Sequence, residues 1–84
     1  MYEVKDWQDF SQRMEKSGFV LSQNKRTPYI WITPANPGEG YPRDHLGAPR
    51  VAASLAPSGR VTFLNEIESG MREYQEPIRN YFSQ

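Results

Sequence analysis

Residues 34–49, PANPGEGYPRDHLGAP, hold four prolines and three glycines. Neither a helix interior nor a central strand tolerates that density of backbone breakers. The stretch therefore divides the chain into two halves, and neither is long enough to bury a core alone. They must fold against each other, so residues 1–84 read as a single α+β domain with a long Pro/Gly-rich loop at 34–49. One helical turn fits inside that loop, with Pro42 at its first position and Gly47 as its stop.

Before the loop, DWQDFSQRMEKSGF reads as a helix. Trp7, Phe10 and Met14 share one face of a 3.6-residue period. Asp6 is a suitable N-cap, Asp9 suits the first turn, Arg13 and Lys16 suit the last, and Gly18 suits the stop. The runs FVLSQ and YIWIT follow as a hairpin turning around Asn24 to Thr27. Strand alternation then sends Ile30 and Ile32 to one face and Tyr29, Trp31 and Thr33 to the other.

After the loop, RVAASLA and RVTFL flank the turn Pro57-Ser58-Gly59 as a second hairpin. In the last segment Ile67, Met71, Tyr74, Ile78 and Tyr81 form a helical stripe that starts from an Asn65 cap. Pro77 leaves two readings open there: a kinked helix, or two helices meeting at Glu76-Pro77. The expected order is α-β-β-(long loop)-β-β-α. A three- to four-stranded antiparallel sheet would carry both helices on one face.

This topology resembles that of the double-stranded-RNA-binding domain. It is also similar in outline to the HicA toxin family, through MEKSGFVLSQNKRTPYIWITP, a helix ending in Gly-Phe followed by two strands. The likeness covers half the chain and stops at the chemistry. Lys25-Arg26-Thr27-Pro28 stands where the family carries a Gly-Ser-His motif, so no catalytic residue carries over.

Composition narrows the function classes. Ten basic and ten acidic residues give zero net charge, which disfavours a generic polyphosphate binder. With no cysteine there is no disulfide framework, thiolate metal site or cysteine nucleophile. No apolar run is long enough for a membrane span, and the charged start MYEVKDWQDF is unlike a secretory signal, so a cytoplasmic protein is expected. The lone His45 beside Asp44 reads as a solvated loop residue, and Glu66, Glu68, Glu73 and Glu76 as solvated helix charges. No catalytic group, metal site or cofactor is expected.

The most suggestive cluster surrounds the first hairpin. An outward Tyr29/Trp31 pair beside Lys25 and Arg26 has the composition of a protein–protein hot spot. The competing reading is that the long loop folds over this face and covers it with Tyr41, Leu46 and prolines. The expectation is a non-catalytic interaction module that blocks a surface of a larger protein, as phage or mobile-element inhibitors and regulators do. Its contact set would be Lys25, Arg26, Tyr29, Trp31, Tyr41, Arg43 and His45. The alternative is an RNA or single-stranded nucleic-acid binder with Lys25, Arg26, Arg50 and Arg60 on phosphates. The C-terminal stripe could also serve as a homodimer seam.

Overall fold

The computed structural model describes residues 2–23 and 25–83; Asn24, the first residue of the expected hairpin turn, lies outside them. Helix α1 spans Trp7–Lys16. It begins where the Asp6 carboxylate accepts the Asp9 N–H at 3.1 Å, satisfying one donor of the first turn. It ends at Gly18, whose φ of +91° reverses the chain directly into β1. Phe10 and Met14 are buried, but Trp7 is 46% exposed. It occupies the first helical position and borders an open cleft with Val4, Ile30 and Leu55, so it does not complete the expected buried stripe.

Strands β1 (Phe19–Gln23), β2 (Ile30–Pro34), β3 (Ala53–Leu55) and β4 (Val61–Phe63) form one antiparallel sheet in chain order. The register sets Ser22, Trp31, Ser54 and Thr62 in one cross-strand row, and Leu21, Ile32, Ala53 and Phe63 in the adjacent row. Alternation puts the second row on the core side, together with Phe19, Leu55 and Val61. Phe10 and Met14 of α1 and Met71 and Ile78 of the last helix join the same cluster. Both helices therefore cover one face of the sheet.

Ala52 and Ala53 are adjacent yet both fully buried, which simple alternation forbids. Ile32 is the register partner of Ala53, but its carbonyl also accepts the Ala52 N–H at 2.9 Å. Two residues thus oppose one, as in a β-bulge, and the small side chains let α2 approach.

Residues 2–4 run along the outer edge of β4. The Val4 N–H donates to the Gly59 carbonyl at 2.7 Å and the Val61 N–H to the Tyr2 carbonyl at 2.8 Å. The Tyr2 ring packs edge-on against Phe63, centroids 5.0 Å apart.

Helix α2 spans Met71–Tyr81 and is unbroken across Pro77, which decides between the two readings of that proline. Its start departs from expectation. Gly70 has φ +87° and Asn65 φ +57°, so residues 65–70 form turns and Ile67 stands 98% exposed. A left-handed glycine cannot continue a right-handed helix, and the apolar stripe begins only at Met71. No helix among the described residues is long and apolar enough to cross a membrane.

Candidate interaction surface

The central loop settles what lies over each face. Tyr41 is buried, 3% exposed, with its ring edge-on to Tyr74 of α2 at 4.7 Å. Its hydroxyl donates to the Arg50 carbonyl at 2.8 Å. Burial, and secondarily the nearby Tyr74, pushes the phenol up to about 12. Tyr41 is thus a core residue that anchors the loop to α2, and burial removes it from the expected contact set. Leu46 is 81% exposed and covers nothing. The loop packs on the helix side, so the expectation that it shields Trp31 is not met.

The expected helical turn at 42–46 is absent as well. Asp44 takes its place: its carboxylate accepts the Leu46 and Ala48 N–H groups, each at 2.9 Å. A short carboxylate that captures nearby backbone donors favours a turn over a helix. Those bonds, the Ala48 N–H first, hold the Asp44 carboxyl below the usual range. Arg43 bridges to Pro49 and donates to the Gly47 carbonyl at 2.9 Å, which closes the loop on itself. Arg43 and His45 are exposed on this loop.

The opposite face of the sheet carries no helix. Its strand positions are Val20 and Ser22 on β1, Trp31 and Thr33 on β2, Ser54 on β3 and Thr62 on β4. Trp31 is half-buried between Ser22 and Ser54, Val20 is 48% exposed, and Tyr29, two residues before Trp31, is 42% exposed. The face is an indole set among hydroxyls, with no charge inside the four strands.

Charges gather at one end. The β1–β2 turn carries Lys25 and Arg26, both exposed. The β3–β4 turn lies at the same end, since Ile30 pairs with Leu55 and Leu55 with Val61. It brings exposed Arg60, which stands opposite Glu3. Arg50 is elsewhere: it lies on the helix side near Tyr41, with Nη2 3.8 Å from Glu68. Of the cations expected on phosphates, Lys25, Arg26 and Arg60 share an end and Arg50 does not.

Two clefts, of about 350 and 280 Å³, lie elsewhere: one between Gly18 and Pro77, the other between Trp7 and Pro57. No group of three or more metal-ligating side chains occurs among the described residues. No protein-family model matches the chain, and neither a curated protein nor a solved structure matches it.

Proposed function

We propose that the protein is a cytoplasmic interaction module that occupies a surface of a larger protein through the helix-free face of its sheet. The observation behind this reading is Trp31, half-buried at the centre of a face that both helices and the long loop leave open. A rigid aromatic ringed by hydroxyls contributes contact area at little entropic cost, the usual make-up of an interface centre. The cations at one rim suit a partner whose neutral patch is bordered by carboxylates on that side.

The test is retention of proteins from an extract of the cells that make the chain. The wild type and an Arg72→Ala control on exposed α2 should retain the same protein, and Trp31→Ala should lose it. Equal retention by all three removes the face from function.

Lys25, Arg26 and Arg60 near Tyr29 and Trp31 favour one second reading, a single-stranded nucleic acid stacked on the aromatics. Under that reading affinity for an oligonucleotide falls steeply with salt and with Trp31→Ala. Affinity that is absent, or indifferent to salt, excludes it.

A further inference from the structure

The two edges of the sheet are treated differently. Residues 2–4 close the β4 edge. Among the described residues the β1 edge has no such cover. The Ala35 N–H donates to the Gly18 carbonyl at 2.8 Å, which fixes the alternation along β1. Val20 and Ser22 turn their backbone groups to β2, and Leu21 and Gln23 turn theirs outward. Among the described residues no backbone hydrogen bond reaches those outward groups. The strand FVLSQ also has no charge, no proline and no bulge, the devices by which proteins usually blunt an edge.

We infer that this edge pairs with the β1 of a second copy, joining two four-stranded sheets into one of eight strands. Backbone groups in a row require an extended strand as occupant. A second copy is favoured by charge: an uncharged β1 laid antiparallel to itself opposes no like charges, and a chain of zero net charge approaches its copy without net repulsion. The two-fold arrangement is the isologous, closed form of such a contact. It also places both Trp31 residues on one continuous face, three strand spacings or roughly 14 Å apart. This pairing depends only on the β1 edge and is independent of any partner on the Trp31 face.

The absence of cysteine supplies the test. In Ser22→Cys, on β1, a short bismaleimide should join two chains; in Thr62→Cys, on the far strand, it should not. Sedimentation of the wild type should show mass rising with concentration from 9.7 kDa toward twice that value. Gln23→Pro removes an outward donor and spares the β1–β2 ladder, so it should weaken the dimer about tenfold or more with an unchanged circular dichroism spectrum. Should that variant fail to fold, Val20→Lys places like charges beside the two-fold axis and should likewise give monomer. A wild type that is monomeric at every concentration, or equal cross-linking of both cysteine variants, overturns the inference. A monomer that still loses its partner on Trp31→Ala would leave the proposed function standing.

Discussion

Gln75 donates its side-chain amide to the Ala52 carbonyl at 2.9 Å, across 23 residues of sequence and from one layer to the other. The same nitrogen donates to the Leu64 carbonyl at 2.8 Å, and the amide oxygen accepts from Arg79 at 3.4 Å. Gln75 is fully buried and bolts α2 to the ends of β3 and β4, where the strands part. Gln75→Leu keeps the volume but leaves the Leu64 carbonyl without that donor. It should cost about 1–3 kcal/mol in urea unfolding, the penalty of an unmet buried acceptor. Gln75→Glu should cost more at neutral pH, because its carboxylate would face two carbonyl oxygens, and should recover on acidification.

Tyr41 gives the fold an alkaline limit. Its phenol is raised from 10.0 to about 12 in the folded chain, chiefly by burial. A raised value means the folded state holds the proton more tightly than the unfolded one. The stabilisation is whole below pH 10 and is lost as pH climbs toward 12. The unfolding free energy measured by urea titration should fall across that window by an amount on the order of 2 kcal/mol. In Tyr41→Phe this component of the fall should vanish, while stability at neutral pH drops by about 1 kcal/mol for the lost bond to Arg50.

Pro77 sits mid-helix, so the Glu73 carbonyl lacks its usual donor and must accommodate the pyrrolidine ring. Pro77→Ala should restore the bond and raise stability by about 1–3 kcal/mol, read as a higher thermal midpoint with more helical signal.

Gly59 is held at φ +95°, and a Cβ built there falls 2.5 Å from the Val4 carbonyl oxygen. Gly59→Ala should detach residues 2–4 from β4. Amide exchange at Val4 and Val61 should quicken selectively, with α1 amides unchanged.

Much of this architecture is written locally. Asp6, Asp9 and Gly18 delimit α1 through interactions within one turn, and the alternation of β2 separates Ile32 from Trp31 without knowledge of any partner. What escaped the sequence depends on contacts made across the fold. Nothing near Gln75 announces that its amide meets carbonyls 23 and 11 residues away. Tyr41 looks like a loop aromatic until Tyr74 covers it. Ile67 keeps helical spacing with Met71, but the left-handed Gly70 between them uncouples the two. The open face was legible as a pattern of residues. That it stays open depended on where the loop would dock, which is a tertiary matter.

The strap of residues 2–4 has a kinetic consequence. Its partners are the last strand and, through the Tyr2–Phe82 ring contact at 5.3 Å, the turn that ends α2. The strap therefore closes on residues more than fifty positions further along the chain, and it can dock only after the β3–β4 hairpin has formed. Until residues 2–4 have docked on β4, that edge is as bare as the β1 edge, and a folding chain carries two sticky borders instead of one.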